Sequence, residues 1–228
     1  MAILLNIETA TTVCSVSLSE NNKLLAYKEL NSGYTHAENL TVFIQDVLKE
    51  ASLAINKIDA VAVSMGPGSY TGLRIGVSTA KGLCYALNKP LIAIDTLQAL
   101  ANNYKMNFQI ENQLLCPMID ARRMEVYCAI YNSELKNIEA VRAEIVNENS
   151  FKEVLLNNKI VYFGDGAEKC KGVLGNNPNA EIVENIVPSA LAMIELTNEK
   201  FVKNQFENLA YCEPFYLKEF AGTAKTNL

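Results

Sequence analysis

Near the N-terminus, Glu8-Thr-Ala-Thr-Thr12 places one carboxylate and three hydroxyls in a short polar stretch after an apolar run. A carboxylate that ends a strand, followed by hydroxyls in a tight turn, has the chemistry to hold a phosphate and its Mg²⁺. Such turns ordinarily include a glycine, which lets the backbone approach the phosphate. Here the small residue is Ala10. A hairpin turn capped by its own hydroxyls explains the same residues. Gly164-Asp-Gly166 is a second stretch that could touch a phosphate or ribose. The candidate nucleotide set is therefore Glu8, Thr9, Thr11, Gly164, Asp165 and Gly166. Asp120-Ala-Arg-Arg-Met-Glu125 reads as a solvated cluster of mixed charges.

The single histidine, His36, excludes any site that needs two, including the H-E-x-x-H zinc class. At the first turn of a helix the dipole disfavours imidazolium, so an exposed or capping histidine is expected. No nucleophile can be placed beside it, so no Ser-His-Asp set can be assembled. None of the six cysteines is spaced C-x-x-C, and they read as buried hydrophobes in a reducing compartment. No catalytic residue and no metal site are expected.

Gly66-Pro-Gly-Ser-Tyr-Thr-Gly-Leu-Arg-Ile-Gly76 is neither a Walker loop nor G-x-G-x-x-G. In the helix that follows, Gly72, Gly76 and Ala80 lie four apart and leave one stripe nearly bare. In an isolated helix each glycine costs about 1 kcal/mol relative to alanine. Two explanations stand: close packing inside the domain, or a docking face for a second protein.

The elements that must position these residues follow from hydrophobic periodicity. Strands over 2–7, 13–18 and 24–30 form an antiparallel meander. A capping box at Thr35 and Glu38 starts a helix with Leu40, Phe43, Ile44, Val47 and Leu48 at helical spacing. A strand over 58–63, a helix over 71–87, a strand over 90–94 and a helix over 96–104 complete the first half. The second half reads less clearly: strands at 114–119, 126–131 and 140–146, a helix at 150–156, strands at 160–163 and 182–187, and a helix from Pro188. The order β-β-β-α-β-α-β-α, met twice, suggests a structural duplication, although no sequence repeat accompanies it. The boundary falls between 101 and 113, giving lobes at 1–104 and 105–228, and the tail from Ala221 is expected to fray.

Composition narrows the function classes. The chain has 228 residues and a net charge of -5, a poor balance for gripping a phosphate backbone unaided. No apolar run reaches the roughly 20 residues of a membrane span. The N-terminus lacks a basic segment of the signal-peptide kind, so a soluble, cytoplasmic protein is expected.

Five segments in order carry a resemblance: Ile7-Glu-Thr-Ala-Thr, Cys14-Ser-Val, Gly66 to Gly76, Ile119-Asp-Ala-Arg with Glu125-Val-Tyr, and Glu213-Pro-Phe-Tyr-Leu217. Together they resemble the TsaB (YeaZ) family, in which Asp is usual where this chain has Glu8. The resemblance implies an α/β ASKHA fold, with actin-like, RNase H-like lobes of βββαβαβα order and mixed sheets flanked by helices. It also implies that the helix at 188–204 packs back on the first lobe.

The implied role is a non-catalytic dimerisation subunit for TsaD. That partner binds ATP and metal and transfers threonylcarbamoyl to N6 of adenosine 37 in tRNA. TsaD carries an H-x-x-x-H metal motif; the matching stretch here runs from His36 to Leu40, so the second ligand is absent. The resemblance places the interface on the first two helices, at Leu40, Phe43, Val47, Gly72, Arg74, Gly76, Ala80 and Leu83. It implies an ATPase, TsaE, near the junction, tRNA reached through the complex, homodimers in isolation, and at most weak residual ATP or ADP binding. The alternatives are a stand-alone ATP-binding ASKHA enzyme and, behind it, a glycoprotease-type peptidase.

Overall fold

The computed structural model describes residues 1–33 and 35–218; the tail expected to fray from Ala221 lies outside the described residues. The first half folds as β1 (Ile3–Glu8), β2 (Val13–Glu20), β3 (Lys23–Asn31), α1 (His36–Glu50), β4 (Ala60–Gly66), α2 (Tyr70–Leu87), β5 (Leu91–Asp95) and α3 (Thr96–Asn107). The second half repeats the order with β6 (Gln113–Asp120), β7 (Glu125–Tyr131), β8 (Asn137–Ile145), α4 (Lys152–Leu155), β9 (Lys159–Phe163), α5 (Lys171–Leu174), β10 (Ala180–Val183) and α6 (Ile194–Val202).

Each half builds a five-stranded sheet of one topology, β3-β2-β1-β4-β5 and its counterpart β8-β7-β6-β9-β10. The meander strands pair antiparallel, and the crossover strands add in parallel beside β1 and beside β6. The first sheet is covered on both faces, so β1 reads as a continuous apolar run. Leu5 and Ile7 join Leu40, Ile44, Val47 and Val77 in one core layer beneath α1 and α2. Leu4, Ile92 and Ile94 point the other way, into a layer shared with Leu97 and Leu100 of α3 and with Leu115, Ile119, Val161 and Phe163 of the second sheet. One continuous core therefore joins the halves, and α3 contributes to it along its length.

The start of the C-terminal helix differs from expectation. Residues 188 and 189 are irregular, 190–193 form turns, and α6 begins at Ile194. The reason lies in β2, whose serines offer hydrogen bonds that compete with helical ones. Ser15 Oγ accepts the Ala190 N–H at 2.9 Å, and the Ser17 hydroxyl donates to the Ala190 carbonyl at 2.8 Å. Asn102 and Asn103 of α3 donate to the carbonyls of Ala192 and Val187. The alternating serines of β2 thus hold this segment on the first sheet.

The expected capping box at α1 is not formed. Thr35 is the N-cap residue but makes no side-chain cap bond. At α2 the cap is Ser69, whose Oγ accepts the Gly72 N–H at 3.3 Å, and at α3 it is Asp95, accepting from Gln98 at 2.8 Å.

The glycine stripe of α2 packs inward. A Cβ on Gly72 would overlap the Thr9 carbonyl oxygen, and one on Gly76 would overlap the Thr9 hydroxyl. Gly68 meets the Ala10 backbone in the same way, and Ala80 is fully buried. The β1–β2 turn lies directly on the helix, and the stripe is what lets it. Gly82, by contrast, faces open space. Gly72→Ala and Gly76→Ala are each expected to cost about 2–3 kcal/mol, because backbone or a buried turn must shift. Gly82→Ala should instead stabilise by about 0.5–1 kcal/mol. Urea unfolding of the three variants checks both signs.

Candidate functional site

The candidate nucleotide residues do not converge on one open surface. An interlobe cleft of about 1190 Å³ lies between the β1–β2 turn and the Gly68–Thr71 loop on one side and residues 119–125 on the other. Thr11 and Asp165 line it; Glu8, Thr9, Gly164 and Gly166 do not.

Glu8 ends β1 fully buried. Its Oε1 accepts the Ala10 N–H at 2.6 Å and the Ser64 hydroxyl at 2.9 Å, while Oε2 has no partner among the described residues. Burial pushes its pKa up from the ordinary 4.5 to about 7, against the hydrogen bonds from Ala10, Ser64 and Thr9 that favour the carboxylate. The Thr9 hydroxyl donates to the Gly72 carbonyl at 2.9 Å. Thr11 Oγ1 accepts the Val13 N–H at 3.3 Å, which closes the hydroxyl-capped hairpin that the sequence allowed as the plainer reading.

The second stretch is likewise used for packing. Gly164 has φ +105°, and a Cβ there would meet the Met118 carbonyl oxygen; one on Gly166 would meet the backbone of Ile119 and Asp120. Asp165 Oδ1 accepts the Asp120 N–H at 3.0 Å. The six residues therefore do not fit a phosphate cradle: Glu8 and Thr9 are buried, with Glu8 Oε1 and the Thr9 hydroxyl engaged inside the first lobe, and the space beside the glycines is filled by neighbouring backbone.

His36 is buried rather than exposed. Its Nε2–H donates to the Thr11 carbonyl at 2.7 Å, tying the start of α1 to the β1–β2 turn. Desolvation lowers its pKa, with the Thr11 carbonyl opposing that shift. Leu40, one turn later, is 1% exposed and belongs to the core. Among the described residues no three His, Cys, Asp or Glu side chains group to hold a metal ion. The five innermost cysteines are buried and unbridged, and Cys212 is partly buried.

The expected docking residues divide. Leu40, Val47, Gly72, Gly76 and Ala80 are buried within this chain, so the small-residue stripe is no free docking surface; the Thr9 turn already covers it. Phe43 and Leu83 are partly exposed, and Arg74 is exposed. The outer face of α2 instead presents Ser78, Gly82, Ala86 and Tyr85, the last 83% exposed, with Val42 of α1 47% exposed. Spacing alone found the stripe but not the side it faces, because the bare face and the exposed face of a helix both follow a period near four. The position of Gly82, off the stripe, was the available signal.

Twin sheets of 3-2-1-4-5 order with a cleft between them are the actin-like ATPase architecture. The chain has TM-scores of 0.80 to YeaZ from Pseudomonas aeruginosa (26% identity, covering 95% of this chain and 100% of that one) and 0.50 to a polyphosphate/ATP-glucomannokinase from Arthrobacter (12% identity, 89% and 100%), the latter a likeness of fold alone. The family model described as TsaD, tRNA N6-adenosine threonylcarbamoyltransferase, matches residues 31–211. The tRNA threonylcarbamoyladenosine biosynthesis protein TsaB of Escherichia coli is 30% identical, covering 94% of each chain; that of Haemophilus influenzae is 28% identical over 94% of this chain and 93% of its own. The chain belongs to the TsaB family. No helix among the described residues is long and apolar enough to cross a membrane.

The Glu8 shift has a signed consequence. Because the folded state holds the Glu8 proton more tightly than an unfolded carboxyl does, stability falls as pH rises from 4.5 to about 7, then levels. Glu8→Gln removes this loss. The stability of Glu8→Gln relative to the parent should therefore climb across that window, by about 3 kcal/mol at most. Parallel denaturant titrations at pH 4.5, 6 and 8 measure it; a difference independent of pH would show that Glu8 titrates normally.

Proposed function

We propose that this chain is a non-catalytic subunit of the machinery that adds threonylcarbamoyl to N6 of adenosine 37 in tRNA, binding TsaD through the outer surface of α1 and α2. The observation that carries the reading is the burial of Glu8 and Thr9 and the internal use of Glu8 Oε1 and the Thr9 hydroxyl. Glu8 and Thr9 are committed to Ala10, Ser64 and Gly72, and the second position of the metal motif is a core leucine. Family membership supports the pathway, and the half-exposed apolar and small residues on α1 and α2 support docking there. The docking residues are Phe43, Arg74 and Leu83 of the original set, joined by Val42, Gly82 and Tyr85. In this reading ATP and metal belong to TsaD, TsaE joins near the subunit junction, tRNA is met through the complex, and isolated chains pair through the same surface.

Gly82→Arg adds bulk on an open, helical position where arginine is the better helix former. Co-expressed with TsaD, this variant should lose capture at least tenfold while its circular dichroism stays that of the parent, and Gly82→Ala should be captured normally. Capture of Gly82→Arg at the parent's level would sink the docking surface. Titration calorimetry of the isolated chain with ATP-Mg should give no heat; a saturable signal would favour the stand-alone enzyme.

A further inference from the structure

Glu213-Pro-Phe-Tyr-Leu217 was singled out in the sequence, and neither the docking surface nor the site above explains it. The chain returns from α6 along the first lobe, where the Glu207 N–H donates to the Leu91 carbonyl at 2.9 Å and Lys81 Nζ donates to the Cys212 carbonyl at 2.8 Å. Residues 215–218 then form one wall of the interlobe cleft.

We propose that Glu213–Lys218 is a latch across the cleft mouth, fixed to the first lobe and releasably fastened to the second. The fixed anchor has three parts. The Phe215 N–H donates to the Met65 carbonyl at 2.7 Å. The Phe215 carbonyl lies in the space that a Cβ on Gly66 would fill. Tyr216 packs on Tyr70, with ring centroids 4.9 Å apart, and its hydroxyl accepts from Arg74 Nε at 3.4 Å. The Arg74 guanidinium lies 4.2 Å from the centroid of the Tyr70 ring, so loop, helix and returning segment are stacked together.

The releasable anchor is the ion pair of Lys218 with Glu125, at the start of β7 in the second lobe. Lys218 is 45% exposed and Glu125 16%. With its lysine end open to solvent, the pair is weak and screened by salt. Glu125 sits in the 120–125 turn, where Arg122 and Arg123 both take positive φ and the Glu125 N–H donates to the Arg122 carbonyl. Fastening Glu125 thus holds a strained turn of one lobe against a segment seated on the other.

Amide hydrogen exchange on the full-length chain, read by mass spectrometry, tests the two unequal anchors. Lys218→Glu should speed exchange in peptides covering 121–125 roughly two- to fivefold, the range that loss of one exposed ion pair allows. Peptides covering 213–216 should keep their protection. Lys218→Met should act in the same direction, and 1 M NaCl should reproduce the effect in the parent. The reversed pair Glu125→Lys with Lys218→Glu should return 121–125 to within twofold of the parent. Unchanged exchange at 121–125 in both single variants would overturn the latch. Equal loss of protection at 213–216 and 121–125 would overturn the division into fixed and releasable anchors.

Discussion

The Thr9–Ala10 backbone lies directly against the start of α2, with no side chain between them. The Thr9 carbonyl occupies the space over Gly72, its side chain the space over Gly76, and Ala10 the space over Gly68. Backbone this close needs glycine on the facing surface, since any Cβ would overlap it. Beside that contact lie the fully buried Glu8 and the bond from His36 to the Thr11 carbonyl. The turn joins β1, β2, α1 and α2 at one point. The conformational cost of three helical glycines becomes intelligible only for Gly72 and Gly76; Gly82 contributes nothing to it.

The duplication also becomes visible at this level. Gly66 ends β4 with φ +120°, and Gly164 follows β9 with φ +105°. Two residues later, Gly68 packs on Ala10 and Gly166 on Ile119 and Asp120. Each lobe therefore carries G-x-G where its fourth strand ends, and the second glycine of each approaches the end of the lobe's own first strand, whereas Gly66 meets the Phe215 carbonyl and Gly164 the Met118 carbonyl. Two glycines are too small a signal to be read as a repeat in the sequence. Their equivalence is geometric: Gly66 and Gly164 share a positive φ, and Gly68 and Gly166 share a close approach to the end of the lobe's first strand.

The order of strands and helices was legible because both sheets are buried on at least one face, which writes period two and period 3.6 into the sequence. The doubled βββαβαβα order, the ends of α2 to within one residue and the start of α3 came from that pattern, whereas α3 runs on to Asn107 past the expected end at 104. What could not be read was direction. The four-residue stripe of α2 fits equally a turn of the same chain or a second protein, and only the placement of Thr9 separates them. The start of α6 was missed because the competing partners, Ser15 and Ser17, stand about 170 residues earlier in the chain. The Thr35–Glu38 capping box was expected and does not form, for a related reason: local spacing permits a cap but does not oblige the hydroxyl to turn toward it.

The same contact explains why residues suited to chemistry are here given over to structure. To reach a ligand in the cleft, the buried Glu8 would have to leave the Ala10 N–H and the Ser64 hydroxyl, and Thr9 would have to leave the Gly72 carbonyl. Each departure strips a buried group of its partner, at a cost of roughly 1–3 kcal/mol per group. It would also lift the turn from the glycines that receive it. Ligand binding at this turn would therefore act against the packing that holds α1 and α2 in place. If α1 and α2 are the docking surface proposed above, a turn that stays seated holds that surface in shape. The outer side of the same turn, Ala10 to Thr12, lines the cleft together with residues 119–125 and the returning segment.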